Sequence, residues 1–169
     1  MRLQGPEGDF PPSRRAVAAS LFFSGYATAA LSGCASPITT SEDDLVAEDV
    51  RIDGAGGYAL PAYVARPAAR GRRGAVIVVN EIFGIHDYIK DVCRRLAKLG
   101  YCAIAPELYV RQGDVSKAAS IDAIRPIVAK VPDAQVMGDL DAAVTYAVSS
   151  GKGNGDKLAI TGFCWGGRI

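Results

Sequence analysis

Lys157–Gly167 reads Lys-Leu-Ala-Ile-Thr-Gly-Phe-Cys-Trp-Gly-Gly, and this stretch decides the fold. Its first half, Lys157–Thr161, is a short β-friendly run expected as a core strand. Its second half, Gly162-Phe163-Cys164-Trp165-Gly166-Gly167, has the G-x-S-x-G spacing of a nucleophile elbow, with Cys in place of Ser. The chain there must turn sharply from strand to helix, and the central residue takes a strained backbone conformation. Side chains two positions away would collide, so Gly162 and Gly166 fit the need. The turn lifts the Cys164 sulfur above the sheet, at the N-terminus of the next helix. A helix dipole and free N–H groups there favour a thiolate. The backbone N–H of Trp165 is placed to stabilise an oxyanion. The competing reading is an ordinary buried Cys before a Gly-rich phosphate turn. A dinucleotide fingerprint, however, has its glycines after the first strand, at another spacing, with an acidic residue after the second.

Working outward, Ala75–Val79 is an uninterrupted Ala-Val-Ile-Val-Val run, the pattern of a strand buried on both faces of a parallel sheet. Asp87–Leu99 follows with Ile89, Val92, Cys93, Leu96, Ala97 and Leu99 at helical spacing, and Gly100 stops it. Tyr101–Ala105 reads as the next buried strand, ended by Pro106. Ser116–Lys130 and Asp133–Ser150 read as helices parted by Pro132. The second of them puts Val136, Leu140, Ala143, Val144 and Ala147 on one face. Upstream, Glu48–Ile52 and Tyr58–Ala65 flank Gly54-Ala55-Gly56-Gly57, a hairpin signal, and Pro61 points to an edge position for the second strand. An N-terminal β-hairpin followed by β-α-β-α-α-β predicts an α/β fold, with a mostly parallel sheet and helices on both faces.

Ligands in such folds gather at the carboxyl ends of the strands. Asn80-Glu81-Ile82-Phe83-Gly84 stands at the end of strand 75–79. Beside a Cys elbow, Glu81 can accept or hold the thiol proton, and the N–H of Ile82 lies where a second oxyanion donor is expected. Arg111, just past the next strand, carries a fork that suits a carboxylate; a surface salt bridge accounts for it equally well. His86 is the one histidine in the chain, which restricts any metal or His-based site. It reads as a loop or helix-start residue, because a triad histidine follows its nucleophile in chain order.

Lys+Arg of 19 against Asp+Glu of 18 excludes a strongly basic nucleic-acid binder. Four Cys in 169 residues are too sparse for a disulfide scaffold, and no C-x-x-C supports a redox thiol protein. Residues 1–34 have the pattern of an export signal: Ser13-Arg14-Arg15, suggesting the twin-arginine route, precedes the uncharged, small-residue run Ala16–Gly33. Leu31-Ser32-Gly33-Cys34 resembles a lipobox in which Cys34 would be lipidated; Gly33-Cys34-Ala35 alternatively suits an ordinary signal peptidase. Residues 35–44 then read as a linker and 45–169 as the folded domain. The expected location is periplasmic, with membrane contact only through the signal or a lipid on Cys34.

NEIFG after one core strand, P-E-L-Y-x-R after the next, G-D-L-D-A-A at Gly138–Ala143 and G-F-C-W-G-G after the third together resemble the dienelactone hydrolase family, over about residues 45–169. The resemblance implies an α/β-hydrolase fold, a Cys-His-Asp triad and hydrolysis of enol-lactones of the carboxymethylenebutenolide type, without metal or organic cofactor. It implies Cys164 as nucleophile, Glu81 as the thiol-activating carboxylate and Arg111 as the partner of a substrate carboxylate. It also implies the Ile82 and Trp165 N–H groups as oxyanion donors. The family's Asp and His fall after the elbow and have no match in this sequence. The chain is therefore expected to be the N-terminal part of an ester or lactone hydrolase, a partial fold with little turnover of its own and an exposed edge on its last strand. The alternative is a non-catalytic exported α/β domain that binds a small carboxylate through Arg111.

Overall fold

The computed structural model describes residues 39–169. The expected export signal and lipobox, including Arg14, Arg15 and Cys34, lie outside them. Strand β1 (Leu45–Gly54) and strand β2 (Tyr58–Pro67) form the hairpin, joined by a 3-10 turn at Ala55–Gly57. Then follow β3 (Arg73–Val79), helix α1 (Asp87–Lys98), β4 (Cys102–Pro106), helix α2 (Ile121–Val128), helix α3 (Asp133–Ser149) and β5 (Gly153–Gly162).

The strands make one five-stranded sheet in the order β1-β2-β4-β3-β5. The β1–β2 and β2–β4 pairs are antiparallel, and the β3–β4 and β3–β5 pairs are parallel. The sheet is thus mixed, because the hairpin extends it on one side. Alternation along β3 divides the core. Ala75, Ile77 and Val79 pack with Val136, Leu140, Ala143 and Ala147 of α3, whereas Val76 and Val78 pack with Ile89, Cys93 and Ala97 of α1. Helices therefore cover both faces, as expected of an α/β fold.

Four sequence expectations are corrected. β2 is not an edge strand; it lies between β1 and β4. Pro61 is tolerated because pairing with β4 begins only at Ala62, opposite Pro106, so its missing donor faces the end of that strand. Leu99 is 73% exposed, since the helix has already ended at Lys98. The helix expected over Ser116–Lys130 is a 3-10 turn at Val115–Lys117 and a separate α2, because the Ser120 hydroxyl caps a new start by accepting from Ala123 N at 3.3 Å. β5 has the free edge expected of the last strand, but it is not a buried core strand, with Leu158 46% and Ile160 58% exposed.

The described part of the expected linker is held against α1. Thr40 N donates to the buried Asp91 carboxylate, Arg94 donates to Thr40 O at 3.1 Å, and Lys98 reaches Asp43 O. Burial pushes the Asp91 carboxyl up, but the donors from Thr40 and Arg95 outweigh it and hold the group below its ordinary range.

Candidate active site

β3 and β5 run side by side and end together, Val79 opposite Gly162, so the two candidate loops leave the sheet next to each other. Phe163 N donates to Val79 O at 3.1 Å, which ties the elbow to the end of β3. Cys164 then takes φ 51°, a left-handed conformation that costs a non-glycine residue energy. A Cβ on Gly162 would lie 2.1 Å from Gly166 O, and one on Gly166 would lie 2.6 Å from Val79 O. Both contacts are to backbone, which has no freedom to retreat. The glycines are thus required for the physical reason that the motif suggested. Cys164 is exposed at the tip. Cys164–Arg168 forms a 3-10 turn immediately after the elbow.

The loop after β3 is heavily braced. The Glu81 carbonyl accepts from Asn80 Nδ2 at 2.8 Å, from Tyr109 Oη at 3.1 Å and from Gly84 N at 3.4 Å. Asn80 and Tyr109 are both 0% exposed. The Tyr109 ring also packs edge-on against Trp165, with centroids 5.1 Å apart. Burial pushes the Tyr109 hydroxyl well above its ordinary range, and the nearby acids Glu107, Cys164 and Glu81 push the same way. The Glu81 carboxylate points elsewhere than its carbonyl and meets His86 Nε2 at 3.1 Å. Its partner is therefore His86, not the Cys164 thiol. His86 is the N-cap residue of α1, in keeping with its sequence reading, and its ring lies between those of Phe83 and Tyr88. Tyr88 in turn packs edge-on against Phe163.

Glu107, after β4, holds the far end of the same loop. Its Oε2 accepts from Ile85 N at 2.8 Å, while Oε1 is buried without a partner. Burial raises its carboxyl, and the hydrogen bond from Ile85 N offsets this only in part. Gly84 sits at φ +75°, where a Cβ would lie 2.9 Å from Glu107 Oε2. An open cleft of about 490 Å³ adjoins the loop, lined mainly by Phe83, Ile85, His86, Val115, Ile121 and Ile124.

Arg111 does not have a free fork. Its two terminal nitrogens meet the fully buried Asp139 carboxylate at 2.7 and 2.8 Å, one also donates to Ala55 O at 3.2 Å, and the guanidinium lies over the Tyr58 ring. The expected partner of a substrate carboxylate is here a structural ion pair, and the carboxylate-binding alternative loses its anchor. The structure thus brings Cys164, Trp165, Glu81 and Ile82 to adjoining loops and sets Arg111 to other work. Asn80, Tyr109 and Glu107 were not singled out from sequence, although Asn80 adjoins Glu81 and the other two belong to P-E-L-Y. Among the described residues no group of three or more His, Cys, Asp or Glu is arranged to hold a metal ion.

Residues 60–169 match the model of the dienelactone hydrolase family. The chain belongs to that family. A relative from Methylorubrum extorquens, named "Putative carboxymethylenebutenolidase", is 54% identical over 159 residues, covering 93% of this chain and 54% of that protein. One of the same name from Escherichia coli is 50% identical over 148 residues, covering 86% of this chain and 54% of that protein. A dienelactone hydrolase structure from Klebsiella pneumoniae, also titled "Putative", superposes with a TM-score of 0.69 at 51% identity, over 72% of this chain and 51% of the other. The chain spans about half the length of the relatives it matches. Family membership makes it a hydrolase-family protein with an α/β fold; the site residues are argued from the geometry above.

Proposed function

We propose that this chain carries the nucleophile of an ester or lactone hydrolase, and that Cys164 is that nucleophile. The observation that supports this best is the elbow itself: an exposed Cys at positive φ, at the carboxyl edge of the sheet, beside the Glu81 loop. In the structure the Glu81 carboxylate meets His86 Nε2 at 3.1 Å, so on this reading it leaves His86 to serve the thiol.

In the proposed reaction the Glu81 carboxylate parts from His86 and takes the Cys164 proton. The sulfur then forms a bond to the substrate carbonyl carbon, and the carbonyl π pair moves onto oxygen. The N–H groups of Ile82 and Trp165 hold that oxyanion. Its collapse breaks the carbon–oxygen bond of the ester or lactone, the leaving oxygen takes the proton held by Glu81 to become an alcohol or enol, and a thioester remains on Cys164. Water must cleave the thioester later. The only histidine of the 169-residue chain is His86, at the start of α1, so this chain is expected to acylate once and then stall. The carboxymethylenebutenolidase name of its relatives favours lactones as substrates, and the apolar cleft beside His86 would receive the uncharged part of such a molecule. We propose further that residues 1–34 direct export to the periplasm; replacing Arg14-Arg15 by Lys-Lys should then stop translocation.

The deciding experiment mixes the purified chain with excess p-nitrophenyl acetate. A burst of one p-nitrophenol per protein, with little turnover after it and none in Cys164→Ala, is the expected trace. Steady turnover that survives in Cys164→Ala would refute the nucleophile.

A further inference from the structure

The peptide joining Glu81 to Ile82 is held through its carbonyl. Its carbonyl receives hydrogen bonds from two fully buried side chains, Asn80 and Tyr109, and a longer one from Gly84 N. None of the peptide bonds is cis among the described residues, and in a trans peptide the N–H points opposite to the C=O. Donors that draw the Glu81 carbonyl toward the core therefore turn the Ile82 N–H away from Asn80 and Tyr109.

We propose that Tyr109 is a positioning residue for the oxyanion site: its hydroxyl, helped by Asn80 Nδ2, locks the Glu81–Ile82 peptide so that the Ile82 N–H is preset for the developing negative charge. This rests on the reading of Cys164 as an acyl-accepting nucleophile. A second observation singles out Tyr109. Its ring braces Trp165 at 5.1 Å, and Trp165 carries the other oxyanion N–H. One buried side chain thus supports both donors, which sit on loops from different strands. The hydroxyl is suited to the task because burial keeps it protonated, and so able to donate, at every physiological pH. Preset donors are effective because they need no reorganisation when the charge appears.

The test separates two reactions of the same sulfur. Acylation by p-nitrophenyl acetate passes through an oxyanion; alkylation by iodoacetamide is a displacement at a tetrahedral carbon and forms none. In Tyr109→Phe the ring stays and only the donor is lost. The burst rate constant should fall about ten-fold, short of the ~10²–10³ for deleting an oxyanion donor outright. The alkylation rate of Cys164 should not change. Asn80→Ala should show the same selective loss from the other side of the carbonyl, so the proposal does not hang on one variant. An unaltered burst rate in both variants, or an equal loss in acylation and alkylation, would overturn it. No burst from the unsubstituted protein would instead remove the nucleophile, and this inference with it.

Discussion

Cys164, Cys93 and Cys102 are chemically one residue type in three environments. Cys164 is exposed on the elbow, whereas Cys93 faces the sheet from α1 and Cys102 lies within β4. Burial pushes the Cys93 thiol up to about 12, against which the nearby Arg94 charge does little, and burial raises Cys102 as well. A short iodoacetamide pulse on folded protein at pH 8 should therefore modify Cys164 first and leave the other two to react only on opening of the fold. Peptide mass spectrometry reads the order, and comparable labelling of Cys93 and Cys164 would count against an accessible elbow. Much of this scale was legible in advance. Gly162 and Gly166 announced the close approach around Cys164, because only the absence of a Cβ permits it. The brace on Glu81 was not legible, since nothing local says that a tyrosine from position 109 reaches its carbonyl.

Elements are joined at this site by charged groups that the sequence left ambiguous. The Arg111–Asp139 pair ties the segment after β4 to α3, and both partners reach Ala55 in the β1–β2 turn: Asp139 accepts its N–H at 2.9 Å and Arg111 donates to its carbonyl. Asp139→Ala leaves the guanidinium unpaired in a mostly buried place and should cost about 3–5 kcal/mol in urea unfolding. An effect confined to substrate affinity, with stability intact, would return Arg111 to a binding role. Glu107 makes a pH prediction. Its folded carboxyl titrates above its unfolded one, so the fold binds that proton more tightly. The resulting stabilisation is complete below the ordinary carboxylate range and is lost as pH rises through the raised value. Melting temperatures of Glu107→Gln and the parent should thus diverge in favour of the variant as pH is raised from about 4 to about 7. A constant offset across that range would mean that Glu107 is already ionised in the fold. The sequence showed this carboxylate but not its state, which depends on how many neighbours exclude water from it.

Over the whole molecule the apolar surface is covered unevenly. β1 and β5 are the two outer strands, and β5 leaves Leu158 and Ile160 in solvent. An unpaired parallel edge carrying exposed apolar side chains invites self-association. Ile160→Lys should lower light scattering of concentrated protein while changing the melting temperature little; unchanged scattering would place the association elsewhere. The sequence by itself determined the alternation of strands and helices, the two-faced burial of β3, and the elbow with its glycines. Each of these is a short-range pattern, set by side-chain period or by steric collision within a few residues. Only the tertiary structure decided that β2 is interior and that Arg111 pairs with Asp139. It alone also set Tyr109 and Asn80 on the Glu81 carbonyl. Those outcomes depend on which strands become neighbours, and partners 28 residues apart, as Tyr109 and Glu81 are, meet only when the sheet is assembled.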